Sequence, residues 1–97
     1  MNLSILPISD KFNDYAYGLE KQFKENNLRV EVDDRTEKVG YKIREAQLQK
    51  IPYMLVVGEK EIEDNTVSVR KRDEGDLGQL SVEEFIKRIG EEVESKK

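Results

Sequence analysis

The chemistry-bearing side chains of this chain are arginines, lysines and carboxylates; it has no histidine and no cysteine. Arg35, Arg44, Arg70 and Arg72 supply planar guanidinium groups, which stack on bases and pair bidentately with guanine O6 and N7. Glu61 supplies a carboxylate, acceptor-only when ionised and suited to the N1–H and N2–H₂ donors of guanine. Lys38 and Lys42 stand one helical turn apart and suit backbone phosphates, contacts that position RNA without reading its sequence. Taken singly, each of these cations is also what an ordinary solvated surface carries. Tyr41, between the lysines, fits a helix–sheet border as well as a stacked base.

Catalytic chemistry has less to work with. Without His or Cys, the commonest general base, the commonest zinc ligand, disulfides and thiolate metal sites are all excluded. Glu59, Glu61 and Glu63 alternate as on a solvated strand face. Asp33 and Asp34 are a bare carboxylate pair at a strand end, a weak signal for a divalent cation. There is no P-loop and no GxGxxG, and Gly75 and Gly78 are spaced for a turn.

These residues must be positioned by a small domain. At 97 residues the chain closes one core, spanning residues 1–97. Charged residues reach 39% and apolar residues 36%, yet the apolar ones fall into periodic blocks, so the surface is heavily charged and the chain is not disordered. The net charge of −4 argues against indiscriminate adhesion to nucleic acid or anionic membrane. The sign reverses locally: from Arg35 to Lys50 five cations face two anions, whereas from Glu59 to Asp64 one cation faces four anions. No apolar run approaches the roughly 20 residues of a membrane span, and the N-terminus lacks a signal-peptide pattern. A cytoplasmic location and no membrane partner are the expectation.

Leu3 to Ile8 form a strand that starts abruptly after Met1 and Asn2, as in a fragment of something longer or a very economical standalone domain. Ser9 caps a helix whose stripe is Phe12, Tyr15, Ala16, Leu19 and Phe23, with Asn26 and Asn27 as stop residues. Leu28, Val30 and Val32 alternate as a half-buried strand. A second helix over about Glu37 to Lys50 carries Val39, Ile43 and Ala46 inward, Lys38, Lys42, Glu45 and Gln49 on a wet face, and Tyr41, Arg44 and Leu48 on the border. Pro52 opens a continuously apolar strand, Tyr53 to Val57, covered on both faces. Glu61 to Arg70 read as a hairpin turning at Asp64-Asn65, which would let Glu61 and Arg70 reach one base, and Asp73 to Gly78 as a loop. Ser81-Val82-Glu83-Glu84 is a capping box with Leu80 and Phe85 as its staple, opening a helix with Val82, Phe85, Ile86, Ile89 and Val93 inward and frayed from Ser95. The expected fold class is α/β, a mixed five-stranded β-sheet packed by three α-helices, parallel in its βαβαβ portion.

With the elements in place, Asp34-Arg35-x-Glu37-Lys38-Val39-Gly40-Tyr41-Lys42-Ile43-Arg44-Glu45, Ile51-Pro52-Tyr53-Met54-Leu55-Val56-Val57-Gly58, Val67-x-Val69-Arg70-x-Arg72 and Asp76-Leu77-Gly78 resemble the C-terminal anticodon-binding domain of bacterial threonyl-tRNA synthetases, class II aminoacyl-tRNA synthetases. The resemblance covers essentially the whole chain. It implies a single anticodon-binding domain, part of a longer chain, that grips the anticodon loop of tRNA(Thr), whose anticodons end in G-U. It also implies that Arg44, Glu61 and Arg70 occupy base-reading positions, with Arg35, Lys38 and Lys42 as supporting or phosphate contacts. Thr36 falls where relatives commonly carry Asn, and cannot make the amide's bidentate contact. No cofactor is implied for this domain. The zinc, and the ATP with Mg, of such a ligase belong to a catalytic domain upstream, so the domain alone is expected to be non-catalytic and the catalytic domain is an implied partner.

Two other readings remain open on sequence grounds. One is a standalone paralogue of this domain acting as an interaction or regulatory subunit, which a longer reading frame upstream of Leu3 would argue against. The other is a small carboxylate-using enzyme on the acidic hairpin, which predicts turnover without RNA.

Overall fold

The computed structural model describes residues 2–26, 28–35, 37–71 and 75–95. Its strands are β1 (Asn2–Pro7), β2 (Arg29–Val32), β3 (Tyr53–Val57), β4 (Thr66–Lys71) and β5 (Gly75–Ser81), and its helices α1 (Asn13–Glu25), α2 (Val39–Leu48), α3 (Glu59–Asp64) and α4 (Val82–Ser95), with a 3-10 turn at Asp10–Phe12. The strand order is β2-β1-β3-β4-β5. β1 pairs in parallel with β2 and β3, with Leu3 opposite Val30 on one side and Tyr53 on the other. β3–β4 and β4–β5 are antiparallel. The mixed five-stranded sheet is thus as expected, carried by four α-helices where three were predicted.

Strand alternation divides the sheet into two apolar faces. Leu3, Ile5, Tyr53, Leu55, Val57, Val67 and Val69 meet Ala16, Leu19 and Phe23 of α1 and Val82, Phe85 and Ile89 of α4 in the main core. The ring of Phe85 stands 5.8 Å from Phe23 and 5.9 Å, edge-on, from Tyr53. On the opposite face Leu6 and Met54 meet Ala46 of α2, with Val39, Ile43, Ile51 and Val56 around them. β3 is buried from both sides, which is why its sequence does not alternate.

Local signals account for several boundaries. Ser9 Oγ accepts from Lys11 N–H, capping the 3-10 turn rather than α1 itself, so Phe12 precedes the helix. Ser81 Oγ accepts from Glu84 N–H at 3.1 Å, half of the expected capping box. Leu80 packs against the core that holds Phe85. Asn27 and the side chain of Val93 lie outside the described residues.

The segment after β3 departs from expectation. Glu59–Asp64 is a helix, not a strand, and Asn65 closes it in the left-handed conformation (φ 55°, ψ 47°) with its N–H returned to Glu61 and Ile62 carbonyls. Alternating glutamates suggest a strand period. The same residues are good helix formers, and Asn is a good helix terminator as well as a good turn residue. The hairpin is β4–β5 instead, one element further along. Gly75 (φ 77°) and Gly78 (φ 88°) adopt backbone that favours glycine. Pairing jumps from Val69–Gly78 to Arg70–Asp76, leaving Leu77 as the extra residue of a bulge. Glycines that suggest a loop therefore shape a bulged edge strand.

Candidate nucleic-acid interface

Among the described residues, the apolar cluster on the second face of the sheet occupies only part of it. The apolar cluster beneath α2 draws on β1 and β3, whereas Val67 and Val69 of β4 point into the other core. By alternation Ser68 and Arg70 of β4, and Gln79 opposite Ser68, stand on the α2 side. There they form a polar shelf beside the helix, with Ser68 and Arg70 half-buried and Gln79 exposed. Arg70 lies opposite Met54 in register. Its Nε is buried and meets no acceptor among the described residues.

Glu61 reaches the same shelf from α3. Its Oε2 accepts from Gln79 Nε2 at 2.8 Å. The helix under it is tied down by Tyr15, whose hydroxyl donates to Thr66 O at 3.1 Å and Glu61 O at 3.4 Å. Burial, and secondarily the charge of Glu61, raise the Tyr15 pKa above its usual 10.0, so this donor keeps its proton. Glu61 and Arg70 are thus on one face, but not at the two ends of one strand as the hairpin reading had them. Gln79, which holds the carboxylate, stands opposite Ser68, two residues and roughly 7 Å of strand from Arg70.

On α2 the five-cation stretch resolves into different roles. Lys38 is the exposed residue preceding the helix, and Arg44 is exposed on its surface. Helical spacing puts Gly40, Arg44 and Gln47 on the flank opposite Lys42 and Glu45, toward the shelf. Lys42 is not on a wet face: it is only 2% exposed. Its ammonium donates to Pro7 O at 3.0 Å and Asp33 O at 2.9 Å, fastening α2 to the ends of β1 and β2. A four-carbon stem lets a residue at the helix border tuck its charge under the helix. That leaves no ammonium surface for a phosphate.

Arg35 is likewise engaged. Its Nε and Nη2 donate to the two Asp33 oxygens at 2.9 and 2.8 Å, and Nη1 and Nη2 to Glu45 at 3.3 and 2.6 Å. The guanidinium carbon sits 5.7 Å from the Tyr41 ring centroid. Hydrogen bonding from Arg35 holds both carboxyl groups below their ordinary values of 3.8 and 4.5, and the same bonds raise the arginine pKa further. Tyr17 donates to Asp34, linking the loop after β2 to α1 as well. Asp33 and Asp34 therefore have protein partners rather than the geometry of a cation site, and among the described residues no three metal-binding side chains converge. Thr36 and Arg72 lie outside the described residues.

In α3, Glu59 and Glu63 are one turn apart while Glu61 points elsewhere, so the three glutamates do not share a face. The carboxylate-enzyme reading loses its constellation. Sequence reasoning missed Gln79 and Tyr15, whose partners are 18 and 46 residues away; no local pattern announces such contacts. Among the described residues no helix is long and apolar enough to cross a membrane.

Residues 2–92 match the family model described as "Anticodon binding domain". A threonine–tRNA ligase of Clostridioides difficile (strain 630) is 58% identical over 94 residues, covering 97% of this chain and 15% of the relative. One from Finegoldia magna is 55% identical over 97 residues, covering 100% and 15%. The chain thus spans about 15% of the length of the curated relatives it matches. Among solved structures, the RNA binding domain of threonyl-tRNA synthetase from Cryptosporidium parvum superposes with a TM-score of 0.85 at 32% identity, over 90% of this chain and 22% of that one. A prolyl-tRNA synthetase of the same organism shares the fold, with a TM-score of 0.84 at 23% identity over 96% of this chain and 20% of that one. A match along almost its whole length, on the fold that sets the polar shelf beside α2, means that the chain belongs to the anticodon-binding domain family.

Proposed function

We propose that this domain binds the anticodon loop of tRNA(Thr) as the C-terminal module of a threonine–tRNA ligase, supporting threonyl-tRNA synthesis in cytoplasmic translation. The observation that carries the reading is the shelf beside α2, where an acceptor-only carboxylate and a guanidinium stand half-buried on one face. Glu61 accepts from guanine donors, and the guanidinium of Arg70 supplies donors to base or phosphate acceptors. Lys38 and Arg44 add exposed positive charge along the approach. Thr36 is a further candidate contact, and Arg35 and Lys42 act by holding Asp33 at the end of β2. Aminoacylation, with its ATP, Mg and zinc, would reside in a catalytic domain elsewhere in such a ligase, and that domain would be this one's partner.

The test is binding of threonine anticodon stem-loops with the G and the U changed one at a time, across a salt series. Loss of affinity for each changed loop is expected at every salt concentration. Equal affinity for matched and mismatched loops would sink the reading.

A further inference from the structure

A glutamate at the surface of a short helix normally wanders among rotamers, and fixing it costs conformational entropy. Glu61 is constrained from three directions. Gln79 Nε2 donates to its Oε2 at 2.8 Å. Its Oε1 lies 3.3 Å from where a Cβ on Gly58 would stand, so the carboxylate packs closely against the backbone at that glycine. Its backbone carbonyl accepts from the Tyr15 hydroxyl. Gln79 is itself fixed by the β4–β5 register opposite Ser68.

From this geometry we infer that Gln79 is a positioning residue for base reading: its amide N–H holds the Glu61 carboxylate in one orientation against the hairpin. The choice of an amide matters. A lysine or arginine at this place would offset the carboxylate's charge and offer its own donors to the base. A neutral donor orients the carboxylate and leaves its full negative charge to face the ligand. A carboxylate so held favours the N1–H and N2–H₂ edge of guanine and repels the N1 lone pair of adenine. The inference rests on the shelf being the base-binding surface proposed above.

The experiment measures affinities of the 97-residue chain for stem-loops carrying guanine, inosine or adenine at the anticodon G. Gln79→Met keeps the length and removes the donor. It is expected to lower the guanine-over-adenine ratio about five- to tenfold, the scale of one ordinary hydrogen bond. Gln79→Glu, which sets a like charge against Glu61, should lower the ratio further. In a Glu61→Gln background, Gln79→Met should change nothing more, an outcome that a general structural role would not produce. Discrimination at the anticodon U should be untouched in the Gln79 variants. Gln79 is exposed, so the variants are expected to fold, with unfolding midpoints as the control. A Gln79→Met chain that keeps the wild-type ratio while Glu61→Gln loses it overturns the inference alone. A wild-type chain that binds the guanine and adenine loops equally overturns the anticodon reading and this inference with it.

Discussion

The ammonium of Lys42 lies 2.9 Å from the carbonyl oxygen of Asp33, so the most buried cation of the basic helix serves the end of β2. The same ammonium reaches Pro7 O on the neighbouring strand. Two parallel strands and the helix that crosses them are thereby joined at one nitrogen, just where the chain leaves β2 for the loop preceding α2.

That bond makes a first prediction. Lys42→Met removes two charge-assisted hydrogen bonds at a buried site and should cost about 2–3 kcal/mol of stability. Urea unfolding of both chains at neutral pH measures it. The salt slope of RNA binding, extrapolated to fully folded protein, should stay at its wild-type value. A slope that falls by one phosphate contact with unchanged stability would contradict the buried role.

The Arg35 clamp predicts a pH dependence. Asp33 and Glu45 have folded-state pKa values below their ordinary 3.8 and 4.5, chiefly through hydrogen bonds from Arg35. At acid pH the unfolded chain therefore binds more protons than the folded one. The stabilisation is complete above about pH 5 and is lost as pH falls through the folded-state values. Arg35→Met should flatten this acid limb and leave the dependence near pH 7 unchanged. The clamp is exposed, so the effect should be small. Urea midpoints between about pH 6 and pH 3 provide the check; parallel acid limbs for the two chains would refute it.

On the shelf, Glu61→Gln and Arg70→Met should each reduce discrimination between matched and mismatched anticodon loops by about 1–3 kcal/mol. The two losses should fall on different bases or base edges, since a carboxylate only accepts and a guanidinium only donates. Stem-loop titrations with single base changes resolve them.

Lys38→Ala should behave differently from the shelf variants. The side chain is exposed, so its loss is expected to weaken all loops alike and to reduce the logarithmic salt slope by about 0.7–1. Arg44→Ala, at a position expected to read a base, should instead lose discrimination between matched and mismatched loops, and a uniform loss would make Arg44 a backbone contact.

Gly58→Ala tests the room left for the carboxylate. The backbone there is extended (φ −146°, ψ −164°) and accepts alanine. The new Cβ would meet Ile8 Cδ1 at 2.6 Å and Glu61 Oε1 at 3.3 Å. Ile8 is an exposed side-chain end that can swing aside, so stability should change by less than about 1 kcal/mol. Discrimination at the guanine position should fall with the displaced carboxylate, as read in the same stem-loop titrations.

Sequence periodicity alone determined the parts of this protein in which each residue answers to its near neighbours. The apolar runs of β1 and β3, the β2 alternation, the α1 and α4 stripes and the serine cap at Ser81 are set within a few residues, by the fixed rise and rotation of strand and helix. Residue identity along α2, β3 and β4 was likewise enough to suggest the family. Tertiary structure decided what depends on which element lies across the way. Glu59–Asp64 fits both periods, and becomes a helix where Tyr15, 46 residues earlier, meets its backbone. Lys42 has a long stem beside an apolar stripe, and whether its charge faces water or two carbonyls depends on where β1 and β2 end. Gln79 gains a role only because the bulged β5 sets it opposite Ser68, within reach of Glu61. Charge type is written in the sequence, but the partner of a long polar side chain is set by elements folded far from it in the chain.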